Sequence, residues 1–199
     1  MFPKKILVLL IFLIISFSNI AKVFSIEPDV FVQSTVNRAS KVLSSNISKE
    51  EKIEKLKIIA DETVDIKIIG LYTLGSYRKE LNDDQKKKYS ILFKKYFLKT
   101  FSSRLAEYSN PEIEVTSKKK LNEKYTIVSS SLIATKKRPE VKIDWRIYTK
   151  DSENPIIRDL IIEGLSLART QKEEFSSILK SNNNDIKILF EKLNEFISS

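Results

Sequence analysis

Enzymes working near neutral pH draw first on histidine and cysteine, and this chain has neither. General acid–base catalysis most often uses histidine, nucleophilic triads depend on it, and transition-metal sites combine it with cysteine, so those classes are excluded. What remains are carboxylate pairs, for example Asp61 with Glu62 or Glu173 with Glu174. Adjacent residues on a helix project in different directions, and both pairs stand among lysines, which suits a solvated surface better than a paired acid and base. The only glycines, Gly70, Gly75 and Gly164, match no phosphate-cradling fingerprint. The stretch YSILFKKYFLKTF interleaves rings with lysines as a nucleic-acid platform would. On a helix, however, the two sets fall largely on opposite sides, as in an amphipathic core helix. The expectation is a protein that is not an enzyme, with no metal, no cofactor and no nucleic-acid partner.

Such a protein must act through the shape its elements build. The N-terminus is set apart first: MFPKK is a short basic start, Ile6 to Phe17 is an apolar run of about a dozen residues, and small residues follow. The run falls short of the ~20 residues that span a bilayer. It reads as a signal peptide over 1–25, cleaved near Ser25 with Val23 and Ser25 at the small positions, or alternatively at Ala21. Without cysteine no lipid anchor can be attached and no disulfide formed, so stability rests on packing. The remaining residues, 26–199, suffice for a single domain. Removing Lys4, Lys5 and Lys22 leaves 32 basic against 26 acidic residues, a net +6. That excess is modest and interspersed, and leaves anionic headgroups or acidic protein surfaces as the plausible charged partners.

Apolar spacing predicts a helix from Pro28 to Ser44 and a second from Ser48, capped by a Ser48–Glu51 box. Asp65 to Leu81 reads as a buried helix holding Gly70 and Gly75, whose presence implies close backbone packing or a break. Asn82 and Gln85 box the next helix, whose stripe Tyr89, Leu92, Phe93, Tyr96, Phe97, Phe101, Leu105 and Tyr108 suits either a core face or a pocket wall. After Asn110-Pro111 the period becomes two. Strand patterns follow around Ile113 and Val115, over Tyr125 to Ala134, through Val141, Ile143, Trp145 and Ile147, and over Ile156 to Ile162. Lys118 to Lys120 is placed near a turn, and Lys136, Lys137 and Arg138 form a basic one. Helical patterns then run from Leu165 to Leu179 and from Asp185 to Ile197. Helices (28–109), sheet (112–163), then helices (165–197) predict an α+β fold with a four-stranded antiparallel meander.

At this point TLGSYRKELNDDQKKKYSILFKKYFLKTFSSRLAEY, the strand region and RDLIIEGLSLARTQKEEF together resemble the MlaC family, also called toluene-tolerance or ABC-transporter auxiliary proteins. The matching pieces are Leu74-Gly75 with Tyr77, Gln85 with Tyr89 and Phe93, Phe101 with Leu105 and Tyr108, Asp159, Glu163-Gly164 and Ser166, and Phe175 with Leu179. They extend from about Ile58 to the C-terminus. Arg78 and Arg158 stand where the family often has aromatics. The resemblance implies an NTF2-like fold: a curved sheet wrapped by helices, an N-terminal helical subdomain and an apolar cavity. It also implies a periplasmic phospholipid carrier that holds acyl chains in the cavity and serves outer-membrane lipid asymmetry. Implied partners are phospholipid, the MCE-domain subunit of an inner-membrane ABC transporter and an outer-membrane lipoprotein complex, with the carrier a monomer.

The expected lipid contacts are Leu74, Tyr77, Phe93, Phe97 and Phe101 from the helices and Val141, Ile143, Trp145, Ile147, Leu160 and Ile162 from the sheet. Plain core packing is the alternative for each, since cores and apolar pockets use the same residue types. Lys136, Arg138 and Arg158 are candidates for headgroup or partner contact. Asp159 and Glu163 are expected to fix the turn after the last strand. Two other readings stay open: an NTF2-like module for another small apolar ligand, and a carboxylate-dependent hydrolase.

Overall fold

The computed structural model describes residues 25–136 and 138–199, so all but the last residue of the expected signal peptide, and Lys137 of the basic turn, lie outside the described residues. The helices begin where local chemistry satisfies their free N–H groups. Helix α1 (Pro28–Leu43) opens with proline in its first turn and Asp29 close behind. In α2 (Lys49–Thr63) Ser48 and Glu51 form the expected capping box. The Asp65 carboxylate accepts from the Ile68 N–H at the start of α3 (Ile66–Thr73). Asn82 and Gln85 form the second capping box, on the 23-residue α4 (Asp83–Leu105).

The segment expected as one helix from Asp65 to Leu81 breaks in two. Gly75 takes φ +59°, a left-handed conformation that costs glycine little, and the chain continues as a short 3-10 helix, Gly75–Lys79. The two glycines therefore do different things. At Gly70 an added Cβ would lie 2.7 Å from the Phe93 ring, so this one is a close approach between α3 and α4.

The sheet has five strands, not four: β1 (Ile113–Asn122), β2 (Tyr125–Leu132), β3 (Val141–Tyr148), β4 (Ile156–Ile162) and β5 (Leu165–Ser166), antiparallel and in sequence order. The fifth arises because Glu163 (φ +49°) and Gly164 (φ +80°) both turn left-handed and reverse the chain in two residues. Leu165 and Ser166 then pair back on Ile162 and Ile161. The following helix, α5 (Leu167–Lys180), accordingly starts two residues later than its apolar pattern suggests, capped by the Ser166 hydroxyl. Lys118 to Lys120 lie within β1, with the turn beyond them at 122–124. Asn183 and Asn184 take positive φ before α6 (Ile186–Ser198).

Helix α1 packs on β1 and β2, α3 and α5 pack on β4, and α4 packs on α2, α3 and α6. One core joins the helices to the inner face of the sheet: Tyr89, Phe93, Phe175 and Phe190 from the helices meet Val128, Trp145, Ile147 and Ile157 from the strands. Among the described residues no helix is long and apolar enough to cross a membrane.

Candidate functional site

The helix-facing side of the sheet is set by strand parity. Register places Leu132 beside Val141, Ser130 beside Ile143 and Ile162, Val128 beside Trp145 and Leu160, and Thr126 beside Ile147 and Ile157. A bulge between Arg146 and Ile147 shifts the alternation of β4, so that Ile157 joins Leu160 and Ile162 on this face. All six sheet residues singled out in the sequence therefore share one face. The sequence reading missed their neighbours Val128, Leu132 and Ile157, although the alternation TIVSSSL carried the signal for the first two.

Burial along that face is graded. Ile147 and Ile157 are sealed, at 0% and 2% exposed, and Trp145 retains 8%. Ile143 and Leu160 are half-buried against the core, while Val141 and Ile162 are half-buried and outside it. Along β3 and β4 the apolar face is thus closed at the Ile147 end and loosens toward Val141, while Leu132 of β2, beside Val141, stays buried at 5% exposed. The Trp145 indole N–H donates to the Ser130 hydroxyl at 2.8 Å, which satisfies the one polar atom of the ring and fixes its orientation.

The helical candidates divide in the same way. Leu74 and Phe93 are buried in the core, with the Phe93 ring 6.3 Å edge-on from Phe175. Tyr77 is partly buried and its hydroxyl donates to Asn184 at 2.9 Å. Phe97 and Phe101 continue the ring row of α4, stacked at 5.4 Å and half-buried. At about 100° per residue they fall between the Phe93 side of α4, which meets α3, and the Lys94 side, whose ammonium pairs with Asp61 of α2.

The three basic candidates do not come together. At the loose end, the Arg138 guanidinium lies 5.1 Å from the Tyr108 ring just past α4 and donates to the Ile133 carbonyl. That contact ties the β2–β3 turn to the end of α4, and Lys136 is exposed in the same turn. Arg158 belongs to the sealed end, opposite Arg146 and Ile147 of β3. It pairs with Asp65 at 2.9 Å, donates to the Tyr125 hydroxyl at 3.1 Å and stacks 3.7 Å from the Tyr148 ring centroid. Asp65 at the same time caps α3 and donates its N–H to the Ile157 carbonyl. Arg158 is therefore a staple between α3 and the sheet.

The carboxylates of the junction serve the turn. Asp159 is buried; it accepts from the Ser166 hydroxyl at 2.6 Å and the Ala168 N–H at 3.1 Å. Glu163 accepts from the Lys142 N–H. In the surface pairs each acid has its own partner: Asp61 meets Lys94 and Glu62 meets Arg38, while Glu173 meets Arg169 and Glu174 meets Gln171. No two are aimed at a common point. Among the described residues no cluster of acidic side chains could hold a metal ion.

Two surface concavities stand out, about 710 Å³ between α3 and α5 and about 480 Å³ on the outside of α1. Neither is lined by any of the expected lipid contacts of the helices or the sheet.

Comparison with known proteins gives two findings. The family model described as "MlaC protein" matches residues 33–195. The fold is similar to that of a phospholipid-binding protein from Ralstonia solanacearum, solved in complex with a phospholipid, with a TM-score of 0.73 and 17% identity over 87% of this chain and 98% of that one.

Proposed function

Since the chain belongs to the MlaC family, we propose that it binds phospholipid, with acyl chains entering between the ring row of α4 and the inner face of the sheet at the Val141–Ile162 end. The observation that carries this reading is the burial gradient. A plain core would be sealed along its length, whereas here apolar side chains at one end of β3 and β4 stay half-open beside a basic turn. Support also comes from the phospholipid held by the structurally similar protein.

The work asked of such a site is physical, not covalent. Burying a methylene is worth about 0.8 kcal/mol, so ten methylenes of one chain crossing water cost on the order of 8 kcal/mol. An apolar enclosure removes most of that barrier, and Lys136 and Arg138 stand where an anionic headgroup would emerge. Arg158, engaged at the sealed end, is withdrawn from that role. In the full reading the protein is exported to the periplasm, carries lipid between an MCE-domain subunit of an inner-membrane ABC transporter and an outer-membrane lipoprotein complex, and catalyses nothing.

Organic extraction and native mass spectrometry of protein purified from a lipid-rich bacterial host test the reading. Diacyl phospholipid is expected at near-stoichiometric occupancy. The Ile143→Asp variant should lose most of it, because an ionised carboxylate in an apolar wall carries a penalty of several kcal/mol, roughly the worth of a few buried methylenes. Recovery of no phospholipid, or of a different apolar ligand, would sink it. Lipid retained in full by folded Ile143→Asp would show that this strand face is not the wall.

A further inference from the structure

The larger concavity belongs to a different face of the molecule. It is lined by Tyr72 of α3 and by Arg169, Lys172, Glu173, Ser176, Ser177, Lys180 and Ser181. The positions Arg169, Lys172, Glu173, Ser176, Ser177 and Lys180 recur at intervals of three and four, so they form one continuous stripe along α5, about 16 Å long. The stripe has an order. Two serines, the smallest side chains in it, lie at its middle, with Lys172 on one side and Lys180 on the other. The concavity is the space those serines leave.

The charges along the stripe are unequal. Arg169 and Glu173 neutralise each other at 2.9 Å. Among the described residues neither Lys172 nor Lys180 is in an ion pair; Lys172 rests 5.3 Å from the Tyr72 ring centroid, beside Gly75. Tyr72 and Ile68, one turn apart on α3, are exposed at 41% and 40% and give the groove an apolar margin.

We propose that this groove docks an acidic segment of a partner protein, whose carboxylates meet Lys172 and Lys180 while its backbone or small side chains approach over Ser176 and Ser177 and an apolar residue rests on Tyr72. Charge complementarity selects the sign, and the shape selects a polypeptide. An extended or helical segment of about 16 Å matches its length, and a flat anionic membrane is the alternative that the vesicle measurement below separates. None of the half-open sheet residues lines the groove, and the inference stands whether or not lipid is carried.

The probe is a fluorescein-labelled twelve-residue peptide alternating glutamate with alanine and leucine, with a lysine-for-glutamate version as control, measured by fluorescence anisotropy at low and at physiological salt. The acidic peptide should bind the wild-type protein more weakly as salt rises. It should lose about tenfold or more in affinity for K172E/K180E, which in turn should gain affinity for the lysine peptide. Ser176→Trp, which fills the trough without changing charge, should weaken the acidic peptide as well. Unfolding midpoints serve as the folding control, because all the substituted side chains lie on the surface of α5. The proposal is overturned if the acidic peptide binds wild type and K172E/K180E alike. It is also overturned if anionic phosphatidylglycerol vesicles bind the wild type, are lost on the same substitutions, and the peptide does not bind.

Discussion

Individual residues show how much of this chain's polarity is structural. The Thr73 hydroxyl donates to the Gly70 carbonyl at 2.7 Å and sits 2.7 Å from the Tyr89 hydroxyl, which therefore donates to it. Burial raises the Tyr89 phenol well above its ordinary pKa and raises that of Tyr96 too, the latter helped by the nearby Glu174. A raised folded-state value means that both rings stabilise the fold in their neutral form. That stability is complete below the unfolded value of about 10 and drains away as pH climbs past it. Chemical denaturation from pH 7 to 11 should show wild-type stability falling above about pH 10, and Tyr89→Phe falling less. At pH 7 the same substitution should cost only about 1 kcal/mol, because Thr73 keeps the Gly70 carbonyl as partner and no donor is orphaned. An equal alkaline slope in the two proteins would assign the loss to other groups. Little of this residue chemistry was legible beforehand. Tyr89 could be read as a stripe member, but its partner sixteen residues away on another helix appears only when α3 and α4 meet. Arg158 likewise had no partner in the linear sequence, since Asp65, Tyr125 and Tyr148 reach it from three different elements.

At the scale of elements, local signals were reliable and reversals were not. Both capping boxes, the β3 alternation and the helix–sheet–helix order were visible because each is written within a few consecutive residues. The fifth strand was not, because two residues carry no periodicity and Leu165 fits a helical stripe equally well. The break at Gly75 and the close contact at Gly70 were foreseen only as alternatives, and the chain uses one of each. Gly70 bears the sharper consequence. Alanine there gains about 1 kcal/mol of helix propensity. Its Cβ must nonetheless displace Phe93, which is 2% exposed and surrounded by Tyr89, Phe97 and Phe175. Overpacking of that kind costs about 1–3 kcal/mol. Gly70→Ala should therefore lower the unfolding midpoint in urea with m unchanged, and the paired change Gly70→Ala with Phe93→Leu should recover part of the loss. A stabilised single variant would mean that the α3–α4 contact yields easily.

For the molecule as a whole, the proposed reading has ligand and fold share one apolar interior, so binding should register as stability. A ligand that binds only the folded state adds RT ln(1 + [L]/Kd), about 4 kcal/mol at a thousandfold excess over Kd. Stripping the protein of lipid in detergent and returning it to buffer should lower its melting temperature by several degrees, and reloading from phosphatidylethanolamine or phosphatidylglycerol should restore it. Identical melting curves before and after would count against occupancy of the interior. The whole-molecule arrangement also explains why site residues could be named without being separable from core. On β3 the side chains Val141, Ile143, Trp145 and Ile147 are chemically alike, and only their position along the sheet distinguishes a sealed residue from a half-open one. The Arg158 staple gives that position a geometric meaning. With α3 pinned to β4 at one end, any separation of α3 from the sheet is hinged at Ile147 and Ile157. On the proposed reading, the room such a hinge opens grows with distance from it and is greatest near Val141 and Ile162, once the Arg138–Tyr108 contact that ties the β2–β3 turn to the end of α4 has released.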